Sequence, residues 1–114
     1  GFFFCSENAM SNRLAINDCR FQVIQFAIAM EERLRANDHK GGWKQMEPTE
    51  IFNRILEELK ELVEAQALID DGSHFSAKGL VALLRESADL ANFAMFLADN
   101  NACLGMAGLQ GDDI

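Results

Sequence analysis

The sequence has few of the residues that build zinc sites or disulfide frameworks. Three widely spaced cysteines, Cys5, Cys19 and Cys103, and two histidines, His39 and His74, are present in 114 residues. No C-x-x-C pair occurs, and the isolated histidines do not supply the close partners that zinc needs. An odd number of separated cysteines indicates reduced thiols, as expected of a cytosolic protein.

Basic side chains are also scarce. Ten Lys and Arg residues stand against eighteen Asp and Glu residues, which gives a formal net charge of −8. This balance argues against a nucleic-acid polymer as partner. An acidic protein that handles an anionic substrate must reverse the sign of the charge locally, and a bound metal ion usually does so.

Long apolar runs are missing as well. The apolar stretch 2–5 lacks a basic flank and is far too short for a signal peptide or a membrane span. The length fits one domain. We therefore expect a cytoplasmic protein with an N-terminal extension at 1–10, an all-α domain at 11–104 and a flexible tail at 105–114.

Three stretches have helical periodicity. The first follows a possible N-cap at Asp18 and ends near residue 37, the second starts at Pro48 and ends near residue 69, and the third covers about 77–100 after Ser76 as N-cap. Glycine-containing segments separate them. The pattern predicts an antiparallel bundle of three main helices with short terminal helical pieces.

The third helix is apolar nearly all round, and two neighbouring helices would not cover all of its apolar surface. A homo-oligomer that completes the bundle is the natural solution. Yet Arg85, Glu86 and Asp89 lie in the middle of this helix. A buried carboxylate costs several kcal/mol unless it is paired or bound to metal.

The second helix is acidic on one face. Its carboxylates are Glu57, Glu58, Glu61 and Glu64, and Glu58 lies at the edge of the apolar stripe. That predicted stripe comprises Ile51, Phe52, Ile55, Leu59, Leu62 and Val63. In an antiparallel pair, Glu58 and Glu61 would face the acidic residues of the third helix, since both sets lie about twelve residues from the turn. Four converging carboxylates form an oxygen-only site suited to Mg²⁺ or Mn²⁺.

Other readings of these acidic residues stay open. The acidic run of the second helix, taken alone, is typical of a solvated helix face. A buried salt bridge from Arg85 or Arg54 to Glu86 is a purely structural alternative. A di-iron carboxylate bundle is disfavoured, because no histidine follows an acidic residue in a Glu-x-x-His pattern.

A family resemblance rests on two acidic motifs. E-E-L-K-E at 57–61, followed after twenty-four residues by E-S-A-D at 86–89, resembles the EExxE…ExxD signature of MazG-type all-α nucleoside triphosphate pyrophosphohydrolases. H-K-G-G-W at 39–43 and the run A-D-L-A-N-F-A-M-F-L-A-D at 88–99 are similar to a MazG-like subgroup. The resemblance covers about residues 38–100.

The resemblance implies an activity and a set of ligands. Members of this family hydrolyse an NTP or dNTP between the α and β phosphates at subunit interfaces of dimers or tetramers, and the resemblance implies Mg²⁺ as cofactor, with Mn²⁺ as the alternative. Carried across by motif, Glu58, Glu61, Glu86 and Asp89 are the metal-binding and catalytic carboxylates. Glu57 and Glu64 are second-rank acidic candidates.

Substrate contacts match the family more loosely. Trp43 is a candidate to stack on the base and equally a candidate core anchor. The candidates for phosphate contacts are Lys40, Lys44, His39, Lys78 and Arg85. Asn92 is a candidate to bond a sugar hydroxyl, orient a metal ligand or bond across the bundle.

Two further functions remain as alternatives. One is an enzyme similar to the phosphoribosyl-ATP pyrophosphohydrolases, whose helical core is related. The other is a non-enzymatic helical interaction protein in which the carboxylates form only a charged seam. Stabilisation by metal separates this second alternative from an enzyme, because a metal that binds the folded state raises its stability.

Overall fold

A computed structural model describes residues 14–72 and 76–109 of the chain. Within those ranges all regular structure is helical, which confirms the predicted all-α fold with three main helices. The helices are α1 (Phe21–Ala36), α2 (Pro48–Asp70) and α3 (Ala77–Asn100), and 3-10 turns cover Ile16–Asp18, Asp38–Lys40 and Leu104–Met106. The predicted N-terminal extension, His74 and the last five residues of the predicted tail lie outside the described residues.

The helix ends follow from local chemistry. Pro48 occupies the first turn of α2, where its missing N–H leaves no bond unmade. The Ser76 hydroxyl accepts a hydrogen bond from the Gly79 N–H at 3.2 Å and caps α3. Gly72 follows α2 with a φ of 84°, a conformation that favours glycine. The first helix begins later than predicted, because Asp18 belongs to a separate 3-10 turn.

The third helix is central, since it packs against both α2 and α1. On the α1 side, the Arg33 guanidinium contacts Asp89 and the Asn92 side-chain amide donates to the Met30 carbonyl. The later residue of α1, Arg33, contacts the earlier residue of α3, Asp89, so the two helices are antiparallel. This arrangement places the C-terminal half of α1 beside the middle of α3.

The second helix carries two apolar stripes rather than one. Ile51 is fully buried, but an adjacent stripe is 44–64% exposed. The exposed stripe consists of Phe52, Leu56, Leu59 and Val63. Phe52, Leu59 and Val63, which belong to the predicted apolar stripe, are thus exposed in the single chain. One packed neighbour covers only part of an apolar face that spans about 120° of the helix.

The third helix is also less covered than its composition suggests. Leu80, Val81 and Leu84 are each 45% exposed. The buried apolar residues of the described chain are few: Ala29, Ile51, Ala88 and Phe96. A single copy therefore leaves apolar surface on two helices. None of the helices in the described ranges is long and apolar enough to cross a membrane.

Candidate metal centre and its cavity

The three helices and the segment between α1 and α2 enclose a cavity of about 740 Å³. Small-molecule sites commonly occupy roughly 300–1,000 Å³. One part of the wall is acidic and the other combines aromatic and basic side chains. The residues that carry the site are Arg33, Lys40, Trp43, Arg54, Glu58, Glu61, Glu86, Asp89, Asn92 and Phe93.

Three carboxylates from two helices meet at the acidic wall. One oxygen from each of Glu58, Glu86 and Asp89 can be chosen so that all three lie within 4.8 Å of one another. Glu58 is only 6% exposed, because its position on α2 faces α3 in place of an apolar residue. Glu86 and Asp89 share a face of α3 at i,i+3 spacing. The antiparallel pair thus joins residues that are about thirty positions apart in the chain.

The other acidic residues of α2 lie further out. Glu61 lines the same cavity and interacts with Glu86, but its side chain is exposed and it lies outside the close group of three. Glu57 is exposed and ion-paired with Arg54, and Glu64 is exposed away from the cavity wall. The structure therefore separates the predicted acidic face into a buried residue, a rim residue and two solvent-facing ones.

Burial and repulsion between carboxylates raise the pKa of two residues in this group, Glu86 and Glu58. Burial, hydrogen bonding to Glu61 and repulsion by the surrounding carboxylates together raise the pKa of Glu86 to about 7. Burial, with repulsion from Glu61 and Asp89, also raises the pKa of Glu58. A divalent cation would reverse both effects, since it favours the charged form of each carboxylate.

Arg33 of α1 pairs with Asp89 by two hydrogen bonds. The Nε–H donates to Oδ1 at 2.9 Å and an Nη2–H donates to Oδ2 at 3.2 Å. Hydrogen bonding to Asp89 raises the pKa of Arg33, and the negative field of Glu86 and Glu58 adds to the effect. The pair lies in the cavity wall and is largely shielded from solvent, with side chains 28% and 19% exposed.

A second arginine lies on the α2 side. Arg54 approaches Glu57 at 3.3 Å and Glu58 at 3.6 Å, and its guanidinium carbon lies 5.0 Å from the centre of the Phe93 ring. The structural alternative of a salt bridge from Arg54 to Glu86 does not correspond to these contacts, because Arg54 is engaged by its own helix. Arg54 instead adds positive charge near the aromatic wall.

Trp43 is anchored at the mouth of the cavity. Its indole stacks on Phe96 with ring centres 4.5 Å apart and planes 7° from parallel. The indole N–H donates to Asp99 at 2.9 Å, and the Asn100 amide donates to the Trp43 carbonyl at 2.9 Å. Lys44 also bonds to Asp99, and these two partners lower the pKa of that carboxyl. The last turn of α3 thus holds the 41–46 segment against the bundle.

Asn92 is the most buried polar side chain of the cavity wall, at 4% exposure. Its amide nitrogen donates to the Met30 carbonyl at 3.0 Å, which is a bond across the bundle. Its Oδ1 atom is buried and has no hydrogen-bond partner among the described residues. Asn92 as a residue lines the same cavity as the three carboxylates.

The remaining substrate candidates divide by position. Lys40 lines the cavity, whereas His39 and Lys44 belong to the same segment without lining it. Lys78 and Arg85 are exposed on α3 and lie outside the cavity wall. The structure therefore places Trp43 and Lys40 in the same cavity wall as the carboxylates, and leaves the other four candidates for phosphate contacts outside it.

The sequence did not reveal the roles of three residues of the site. Arg33 looks like an ordinary basic residue near a helix C-terminus, and Arg54 entered only as a possible partner of Glu86. Asp99 has a signal in the sequence, since it is the first charge on the third helix after Asp89. The partners of Arg33 and Asp99 lie on other elements, which linear spacing does not reveal. The pairs of Arg54 with Glu57 and Glu58 instead have the i,i+3 and i,i+4 spacing of one helix face.

No protein-family model, no curated protein and no solved structure matches this chain.

Proposed function

We propose that the protein is a Mg²⁺-dependent nucleotide pyrophosphohydrolase of MazG type. It would hydrolyse an NTP or dNTP between the α and β phosphates and release the monophosphate and pyrophosphate. The observation that carries the proposal is the meeting of Glu58, Glu86 and Asp89 in the wall of a cavity that also has an aromatic and basic side. The acidic group alone fits many roles, but this combination suits a ligand with an aromatic and an anionic part.

The donor set fits Mg²⁺ or Mn²⁺. All three close groups are carboxylates, and these cations prefer oxygen ligands. The Oε2 atom of Glu86 is buried and has no hydrogen-bond partner among the described residues, so it has the capacity to accept a ligand. Glu58, Glu86 and Asp89 would hold the cation, with Glu61 at the rim. When bound, Mg²⁺ neutralises phosphate charge and lowers the pKa of an attacking water.

The rest of the cavity supports a nucleotide as ligand. Trp43 and Phe93 supply an apolar aromatic wall on which a base can stack. Arg54 and Lys40 line the same cavity and supply positive charge for phosphates. Asn92 lines the same cavity, and we assign its side-chain amide as the partner of a sugar hydroxyl. Base, sugar and phosphate thus each find side chains of matching chemistry.

We infer further that the active unit is a homodimer or homotetramer. The exposed stripe of α2 formed by Phe52, Leu56, Leu59 and Val63 has the i, i+4, i+7 and i+11 spacing of a helix-pairing seam. Leu80, Val81 and Leu84 add apolar surface on α3. A second copy would cover surface of this kind, and sedimentation of the purified protein tests its presence.

A nucleotide panel tests the enzymatic proposal. The protein is incubated with each common NTP and dNTP, with Mg²⁺, with Mn²⁺ and with EDTA, and released pyrophosphate is measured separately from orthophosphate. We expect pyrophosphate and the matching monophosphate from at least one nucleotide, only with metal. Phosphoribosyl-ATP belongs in the panel, since turnover of that compound alone would favour the related enzyme class.

The non-enzymatic alternative makes the opposite prediction. If the carboxylates form only a charged seam between helices, millimolar Mg²⁺ leaves the melting temperature unchanged and no nucleotide is cleaved. The exposed apolar stripe of α2 is the observation that favours this alternative. A metal titration of the melting temperature separates the two, because binding to the folded state must stabilise it.

A further inference from the structure

Asp89 has two competing partners, the Arg33 guanidinium and the proposed divalent cation. Both carboxylate oxygens of Asp89 already accept hydrogen bonds from Arg33, at 2.9 and 3.2 Å. One of the same oxygens belongs to the close group formed with Glu58 and Glu86. A guanidinium fork and a divalent cation can each neutralise one carboxylate, and the positive charge of either one disfavours the other beside it.

Arg33 is placed to neutralise more than Asp89. Its positive charge is also stabilised by the nearby Glu86 and Glu58. Without a counter-ion, three carboxylates whose oxygens approach within 4.8 Å would repel one another strongly. The Arg33 guanidinium therefore meets part of the charge requirement that a divalent cation would meet.

We propose that Arg33 is a displaceable counter-ion, which leaves Asp89 when a divalent cation binds and then contacts the phosphates of the substrate. The proposal rests on the function proposed above and adds a residue and an order of events to it. On displacement, the guanidinium exchanges a carboxylate for a phosphate group. Two phosphate oxygens can accept the same pair of N–H groups.

The position of Arg33 suits this exchange. It lines the cavity, and 28% of its side chain is exposed, so Arg33 is not packed on every side. Arg54, in contrast, is engaged by Glu57 and Glu58 and lies over the Phe93 ring. Of these two arginines, Arg33 is the one whose carboxylate partner lies at the proposed metal position with both oxygens occupied.

The contact between α1 and α3 does not depend on the pair of Arg33 and Asp89 alone. The α1–α3 contact already has another polar link, from Asn92 to the Met30 carbonyl, about one turn away. Ala29 and Phe96 add buried apolar surface from the same two helices. The helices therefore have other contacts that hold them together when Arg33 leaves Asp89.

The test measures metal and nucleotide binding separately in the full chain. Arg33→Met removes the competing charge and keeps an unbranched apolar stem, whereas Arg33→Lys keeps a charge and loses the fork. Arg35→Met is the matched control, because Arg35 lies on the same helix, is exposed and pairs with Glu31. Calorimetry follows the binding of Mn²⁺ alone, and then of a non-hydrolysable α,β-methylene nucleoside triphosphate with Mn²⁺ present.

We expect two opposite effects in Arg33→Met. Mn²⁺ alone should bind about tenfold more tightly than to the wild type, because its competitor is gone, and the analogue should bind about tenfold more weakly. Arg33→Lys should show both effects to a smaller extent, and Arg35→Met neither. Mn²⁺ should also raise the melting temperature of Arg33→Met by more than it raises that of the wild type.

Three outcomes overturn the inference, and they are distinguishable. Unchanged or weaker Mn²⁺ binding in Arg33→Met, with normal binding to the wild type, rejects the counter-ion exchange alone. Tighter Mn²⁺ binding with unchanged analogue affinity rejects the contact with phosphate. A wild type that binds no Mn²⁺ rejects the metal-dependent function and the exchange together. If Arg33→Met does not fold, the same comparisons decide in Arg33→Lys.

Discussion

The interface between α2 and α3 differs between its two ends. Toward the turn, Leu62 and Ala67 of α2 lie near Leu83 of α3 around a small, mainly apolar groove. Toward the cavity, the same two helices place Glu58 opposite Glu86 and Asp89. One end is built like an ordinary helix pair, and the other has carboxylates where apolar side chains would pack.

The difference shows what the acidic end contributes. Apolar residues suffice to pair two helices, and replacing buried charges with apolar residues is often neutral or stabilising. The acidic end instead holds like charges together, which burial and repulsion make unfavourable enough to raise the pKa of Glu86 to about 7. The acidic end is therefore poorly suited to pairing the helices alone, which supports the proposal that its carboxylates bind a ligand.

The largest expected effect contrasts two glutamates of α2. Glu58→Gln removes a charge from the close carboxylate group and should lower the rate of pyrophosphate release by on the order of 10³-fold, because a ligand of the proposed cation is lost. Glu64→Gln, on the exposed part of the same helix, should leave the rate within about twofold. The measurement is kcat/KM on the nucleotide that the panel identifies. Equal losses in the two variants would show that the acidic end has no special role.

A second contrast concerns the two apolar stripes of α2. Ile51→Ala should lower the free energy of unfolding by about 2–5 kcal/mol, since Ile51 is fully buried and truncation leaves a cavity. Leu56→Ala, on the exposed stripe, should lower it by less than about 1 kcal/mol in a monomer. Urea unfolding at several protein concentrations measures both. A large, concentration-dependent loss in Leu56→Ala would show that another copy covers the stripe.

The smallest expected effect is a pH dependence of the free energy of unfolding, which comes from the acidic end of the α2–α3 interface. Because the pKa of Glu86 is raised to about 7 in the folded state, the metal-free protein should lose about 1–3 kcal/mol of stability as pH rises from about 5 to 7. The sign follows from the unfolded chain, which releases the Glu86 proton at lower pH than the folded protein does. Above pH 7 both states are ionised and the dependence levels off.

The affinity for metal should depend on pH in the opposite direction and rise as pH rises toward 7. Mg²⁺ requires the Glu86 carboxylate, so its affinity should fall by up to about tenfold for each pH unit below 7 and be nearly constant above. Calorimetry and thermal unfolding between pH 5.5 and 8 measure the two quantities. Glu86→Gln should weaken both dependences while Glu64→Gln keeps them. A metal affinity that does not vary with pH would contradict the raised pKa.

The helices themselves were predictable from the sequence. Pro48 and Ser76 mark helix starts through local chemistry, and the ends of α2 and α3 fall at or within one residue of the predicted bounds. The start of α1 was not predictable in the same way, because Arg20 precedes it without a side-chain cap. Local signals therefore locate a helix end only where a side chain or a proline defines it.

The site was predictable to the extent that helix periodicity determines it. Glu86 and Asp89 at i,i+3, and Glu58 on the face of α2 toward α3, come together once the helices pair antiparallel. The Arg33 pair with Asp89 and the Trp43 bond to Asp99 each join residues 56 positions apart. Those contacts depend on how α1 and the 41–46 segment rest on α3, which no pattern within one helix encodes.

The anchoring of Trp43 gives the molecule a built-in optical reporter. It is the one tryptophan of the sequence, and it combines a stacked Phe96, a carboxylate on the indole N–H and a place in the cavity wall. Its emission therefore reports the polarity and quenching of one location instead of an average over the fold. A ligand that enters the cavity changes the surroundings of this fluorophore, so the unlabelled wild type can report binding in real time.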